Sequence, residues 1–199
     1  MPSILPARAA RLFALVMIAS PIAFVAPGCS TGPRTAATMR LTSTDATNVF
    51  VQRFTHSHAT NRTDTATDVV LTGSPDGNLN QLMHLRLLWR PMRGTKTDQP
   101  STTNAVIDWY VWENKTDAPP AVLKYSGAGL VMADRLSGGR LRIDVRNATM
   151  TLRSKRGDMV DPIGQSTLTG KFITTFDTAA VDEAMASIPA AIPRASAKK

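Results

Sequence analysis

The chain has 199 residues, 43% of them hydrophobic and 19% charged, with a formal net charge of +8 and one cysteine. That length suits one domain that buries roughly 70% of its unfolded surface without help from disulfides. A lone cysteine excludes an intramolecular disulfide and any zinc site built on paired thiolates.

The N-terminal segment opens with Arg8 and Arg11, followed by an apolar run from Leu12 to Val25 broken only by Ser20 and Pro21. The run is shorter than the ~20 residues a membrane-spanning helix needs. A basic start, a short apolar core and small residues at the end describe a secretory signal peptide. No acidic residue precedes Asp45, which suits export. Cleavage after Ala26 would put Phe24 at the −3 position, against the small-residue rule. Cleavage before Cys29 instead leaves Ala26, Pro27 and Gly28 in the last three positions.

Ala26-Pro27-Gly28-Cys29 resembles the bacterial lipobox, usually Leu-Ala-Gly-Cys, and the resemblance covers only the first 29 residues. Gly28 and Cys29 match, whereas Ala26 and Pro27 depart from the commonest residues. The resemblance implies that residues 1–28 are removed and that Cys29 carries diacylglycerol. The new amino terminus is often acylated too, and two or more chains anchor a protein stably where one does not. Removal takes 28 residues and two arginines, leaving 171 residues at +6. A pI near 10.3 would otherwise fit a nucleic-acid binder, but an exported chain meets little nucleic acid. Anionic lipid, envelope polysaccharide or a partner protein in the envelope fits better.

Residues 30–38 (STGPRTAAT) are polar and read as a tether. Met39–Thr42 and Asn48–Phe54 are the first extended segments, the second of ambiguous sidedness. Residues 56–68 (HSHATNRTDTATD) hold no apolar residue larger than Ala and are expected to form a loop. Asp68–Thr72 is a short strand ended by the turn signal Gly73-Ser74-Pro75-Asp76-Gly77-Asn78. Leu79–Arg90 alternates strictly, with Leu79, Gln81, Met83, Leu85, Leu87 and Trp89 on one face. Pro91 ends it. Residues 93–103 are a polar loop, and Ala105–Asn114 is the next strand, with Ala105, Ile107, Trp109 and Val111 sharing a face.

Val122–Tyr125 and Leu130–Met132 are two short strands, or one strand bent at Gly127 and Gly129. Arg140–Arg153 turns Leu141, Ile143 and Val145 inward, then resumes at Ala148, Met150 and Leu152. The one-residue slip near Asn147 predicts a β-bulge. Ser166–Phe176 is expected to pair with that strand. A helix is predicted over residues 177–188, with Asp177 as N-cap and Ala180, Val181, Ala184, Met185 and Ile188 as its apolar stripe. Residues 190–199 read as a loose tail. The β domain therefore spans residues 39–189. The expected class is all-β: a single antiparallel sandwich or up-and-down barrel of about eight strands with one C-terminal helix.

Motifs for chemistry are sparse. His56-x-His58 places two imidazoles on one side of an extended segment, the sharpest metal-binding pattern in the chain. Residues 164–168 (GQSTL) lack the second glycine of a nucleophile elbow, and no phosphate loop, dinucleotide fingerprint or calcium loop is present. No cofactor is implied. If Leu79–Arg90 and Ala105–Asn114 pair as a hairpin, His84, Arg86, Arg90, Asp108, Tyr110 and Trp112 share one surface. Aromatic rings beside arginines suit a sugar, an anionic lipid or a peptide. Two classes follow. The first is a membrane-anchored, non-enzymatic envelope lipoprotein that binds a partner or acts as a scaffold. The second is a lipid-anchored hydrolase or metal-dependent enzyme with a site assembled only on folding.

Overall fold

Among the described residues every strand joins a single sheet, and the last strand closes it. The computed structural model describes residues 36–74, 79–89, 91, 102–113 and 120–188. Nine strands precede one helix: β1 (Ala37–Ser43), β2 (Val49–Phe54), β3 (His56–Asn61), β4 (Thr67–Gly73), β5 (Leu79–Leu87), β6 (Ala105–Glu113), β7 (Ala121–Leu136), β8 (Arg140–Arg156), β9 (Ser166–Phe176) and α1 (Thr178–Ala186). Cys29, the proposed tether up to residue 35, Arg90 and the tail from residue 189 lie outside the described residues.

Only Thr55 separates β2 from β3, so the two are halves of one bent strand. β1 pairs antiparallel with β2 on one side (Leu41↔Phe50) and with β9 on the other (Leu41↔Leu168). β3 to β8 follow as a meander, each antiparallel to the next except across the covalent step from β2. β9 then pairs with β8 along Arg140↔Thr175 to Met150↔Ser166. Beyond the start of β1, β9 meets β3 directly in parallel, at His58↔Thr175 and Ala59↔Phe176. The parallel contact is forced, because β1 runs antiparallel to both of its neighbours. The result is an all-β, up-and-down closed barrel in place of a two-sheet sandwich.

The period of two fills its interior. Met39, Leu41, Phe54, Leu71, Met83, Leu85, Ile107, Trp109, Tyr125, Ile143, Met150 and Leu168 are buried in one continuous cluster. Phe50, Gln52 and Phe54 are the inward set of β2, while Val49 and Val51 are exposed. Trp109 and Tyr125 stack with centroids 5.1 Å apart. At one end, buried Asn104 ties the long β5–β6 connection to β7. Its Nδ2 donates to Trp89 O and Val131 O, and its Oδ1 accepts from Val131 N, all at 2.8–2.9 Å.

A second cluster lies outside the barrel. Val70, Leu82, Tyr110, Trp112 and Val122 form an apolar outer strip that Val181 and Ile188 of the α1 segment cover. Asp177 caps the helix, its Oδ1 accepting from Ala180 N at 3.0 Å. The expected stripe thus faces the sheet.

One expectation needs correction, and one open choice is settled. The segment expected as a loop at 56–68 is β3 followed by a turn at 62–66. Its small polar residues make a strand because both edges are hydrogen-bonded and α1 packs on its outer face, so tertiary context replaces large side chains. β7 is one strand of 16 residues, not two. Gly127 and Gly129 permit close contact with β8: a Cβ on Gly127 would lie 1.6 Å from Thr149 O, and one on Gly129 would lie 2.5 Å from Ala148 Cα. The predicted bulge is present. Asn147 has φ +48°, and the β8–β9 register shifts between Val145 and Ala148.

Gly127→Ala must push β8 away from β7. The expected cost is about 3 kcal/mol, read as a lower urea midpoint with an unchanged slope.

Candidate functional site

The β5–β6 hairpin forms as the alternation implied, with His84↔Asp108, Leu82↔Tyr110 and Asn80↔Trp112 in register. His84, Arg86, Asp108, Tyr110 and Trp112 do share the outer face, but they do not form an open aromatic platform. Tyr110 and Trp112 are 3% and 6% exposed, because the α1 segment covers that strip. Their burial extends the apolar strip begun by Val70 and Leu82. Arg90, the sixth residue of that expected surface, falls outside the described residues.

The charged members of the face are committed to each other. Asp68, buried on β4, takes Arg62 Nε at 2.9 Å and Arg86 Nε at 3.4 Å. His84 Nε2 lies 3.2 Å from Asp68 Oδ1, off the line of a hydrogen bond. Arg62 reaches on to Asp182 of α1 at 2.9 Å, so this network also fastens the helix. Burial pushes the Asp68 carboxyl up. The close approach of His84, the hydrogen bond of Arg62 and the charge of Arg86 outweigh that and hold it at about 2. Asp108 accepts from Ser126 Oγ and lies 3.5 Å from Lys124 Nζ, which sits 5.2 Å over the Tyr110 ring.

His56 and His58 project from β3 into a cleft beside α1, together with Thr72, Ala184 and Glu183. Among the described residues no group of three or more His, Cys, Asp or Glu is arranged to hold a metal ion. A more open hollow of about 590 Å³ adjoins it, lined by Thr55, His56, Asn80, Trp112, Pro120 and Ser187 among others.

A partly covered cavity lies at the opposite end of the barrel from Asn104. It measures about 410 Å³ and is bounded by β2, β5, β6 and β7 under the β8–β9 loop. Leu79, Trp109, Val111, Leu123 and Tyr125 form its floor and walls, and Met159, Val160, Pro162 and Ile163 its roof. The roof is clasped at one point. Tyr125 Oη donates to Asp161 Oδ1 at 2.7 Å, and that oxygen also accepts from Ile163 N and Gly164 N at 3.0 and 3.1 Å. Burial raises the Tyr125 hydroxyl, and the Asp161 charge raises it further. Burial also pushes Asp161 up, but the Tyr125 hydroxyl and the two amides outweigh it and leave the carboxyl below its usual range.

Sequence alternation put Trp109 and Val111 on the inner face. It gave no hint of the roof, because residues 157–165 carry no period of two. The available signal was Met159, Val160 and Ile163 set between Gly157 and Gly164, an apolar loop bounded by two glycines. Comparison of the chain with protein families, with curated proteins and with solved structures finds no match. The residues themselves therefore carry the functional argument.

The Asp68 network fixes an acid response. A carboxyl held near about 2 in the fold and at 3.8 when free binds its proton earlier in the unfolded chain. Its stabilisation is complete above pH 3.8 and is lost as pH falls through 2, a change of about 2 kcal/mol. Asp161 adds a loss of the same sign. Chemical denaturation at pH 5, 4, 3 and 2 should therefore show stability falling with pH, and Asp68→Asn should flatten the part due to Asp68.

Proposed function

We propose that the protein is a membrane-anchored cell-envelope lipoprotein whose barrel is a non-enzymatic binding module. The Ala26-Pro27-Gly28-Cys29 motif supports an acylated Cys29 as the link to the bilayer. A net charge of +6 after loss of the two signal-peptide arginines favours an anionic lipid surface or envelope polymer nearby. Nucleic acid has no place in this reading.

One observation carries the binding function: the cavity at the barrel mouth has apolar, aromatic and amide walls and, among the described residues, no charged side chain. Such a lining holds a ligand and offers no nucleophile or general base for hydrolysis. The carboxylates best placed for acid–base work are spoken for elsewhere. Asp68 is held by Arg62 and Arg86, Asp108 by Ser126 and Lys124, and Asp144 by Arg146 at 2.9 Å and Lys171 at 3.5 Å. These pairings favour the binding module over a lipid-anchored hydrolase.

Native mass spectrometry of the full-length chain, expressed in a bacterium and extracted in mild detergent, tests the whole reading. The expected species starts at Cys29, carries a covalent acyl mass and retains a non-covalent adduct. Cys29→Ser should abolish the acyl mass and release the protein from the membrane fraction. A chain with neither acyl mass nor adduct would refute the reading.

A further inference from the structure

We infer that the barrel-mouth cavity takes one uncharged amphiphile, a mainly hydrocarbon molecule with a hydroxyl or amide head. The 157–165 strap closes over it. This rests on the mouth being the binding site and adds the class of ligand and the means of entry.

Four observations converge. The volume of about 410 Å³ falls within the roughly 300–1,000 Å³ of small-molecule sites, and barrel mouths are a favoured place for them. Among the described residues no charged side chain lines the cavity, so a carboxylate or ammonium head would be desolvated against this lining without a partner.

The walls also carry unused polar atoms. Trp109 and Gln81 are each 2% exposed, and both line the cavity, Gln81 bordering the hollow of about 590 Å³ as well. Among the described residues neither Trp109 Nε1 nor Gln81 Oε1 has a hydrogen-bond partner. One is a donor and the other an acceptor. A hydroxyl or primary amide supplies both complements, whereas an alkane supplies neither. Gln81 stands at a seam as well, since its Nε2 donates to Arg53 O at 2.8 Å and bridges β5 to the end of β2.

The fourth observation is the strap. Gly157 and Gly164 bound it with φ of +77° and +63°, values that glycine adopts without strain. Met159 and Ile163 pack on the core, while Val160 is 78% exposed. The Tyr125–Asp161 hydrogen bond joins the strap to the barrel wall. A short apolar cover with a glycine at each end and a polar clasp suits a hinged closure.

Two other hollows fit such a ligand less well. The cleft at α1 is lined by His56, His58 and Glu183. The groove at the Asn147 bulge is bordered by Asp144, Arg146 and Lys171.

The test uses N-phenyl-1-naphthylamine as an uncharged fluorescent probe and full-length protein in detergent-free vesicles or nanodiscs. Empty membranes supply the background. Expected is saturable binding at one probe per chain, with energy transfer from tryptophan. Val111→Phe and Leu79→Phe, two independent fillers of the cavity, should each weaken binding at least about tenfold while keeping a cooperative melt. 1-Octanol should displace the probe at a concentration about tenfold below that of octanoate or octylamine. Gln81→Leu should reduce that preference. Tyr125→Phe should speed both binding and release.

Two results overturn different parts. Equal displacement by octanol, octanoate and octylamine would leave the mouth as the site and overturn the uncharged class. Non-saturable binding, or binding untouched by both fillers, would overturn the mouth as the site and the inference with it.

Discussion

β9 holds the molecule together. Its 11 residues pair with β8 along one edge and with β1 and then β3 along the other. No other strand has three partners. Without it the remaining strands make a curled sheet with two long free edges, which water and other chains would contact. With it, the edges are consumed and alternate residues of every strand point into one enclosed space. Gly170 shows how closely the strands approach at that closure, since a Cβ there would lie 2.4 Å from Met39 Sδ.

Closure decides where function can reside. A barrel of this size is filled by its own side chains unless the two ends differ, and here they do. Asn104 seals one end with hydrogen bonds to fixed backbone atoms. At the other end the 157–165 loop, held through Asp161, lays Met159, Val160, Pro162 and Ile163 over a cavity that remains beneath it. The outer face is closed in a different way. Tyr110 and Trp112 lie against the α1 segment, and the Arg62–Asp182 pair joins the charged network around Asp68 to the helix. The helix therefore completes the outer wall of the barrel, and the mouth is the enclosed opening that the described residues leave.

Much of this fold was legible from alternation. β5, β6 and β8 have strict apolar periods, so their inner faces, the β8–β9 pairing and the bulge at Asn147 followed from the residues. The helix followed from Asp177 and its stripe. β3 was hidden because its buried positions are small: Ala59 faces the core, and Thr60 faces α1 with its hydroxyl 2.8 Å from that of Thr178. Its strand state comes from neighbours distant in sequence. The choice between sandwich and barrel was equally hidden, since it turns on a parallel contact between residues 58–59 and 175–176 that no local pattern encodes. The mouth was half legible. Trp109 and Val111 were placed inward, but the sequence could not show that Tyr125 would meet Asp161 across 36 positions and hold an apolar loop over them. The surface on β5 and β6 formed in register, with Tyr110 and Trp112 covering the second side of the sheet and not lining an open platform; that helix α1 would dock there lay too far along the chain to be read.

Closure by β9 is also the claim most open to direct measurement. Backbone nuclear Overhauser effects in isotopically labelled protein report it residue by residue. The structure requires contacts from His58 and Ala59 to Thr175 and Phe176 in the parallel pattern, together with antiparallel contacts from Arg142 and Ile143 to Ile173 and Phe172. Finding both sets in one folded species establishes a closed barrel with a mouth. Finding the β8–β9 contacts without those to β3 would mean that β9 does not close the seam at β3, and the enclosed mouth would have no basis.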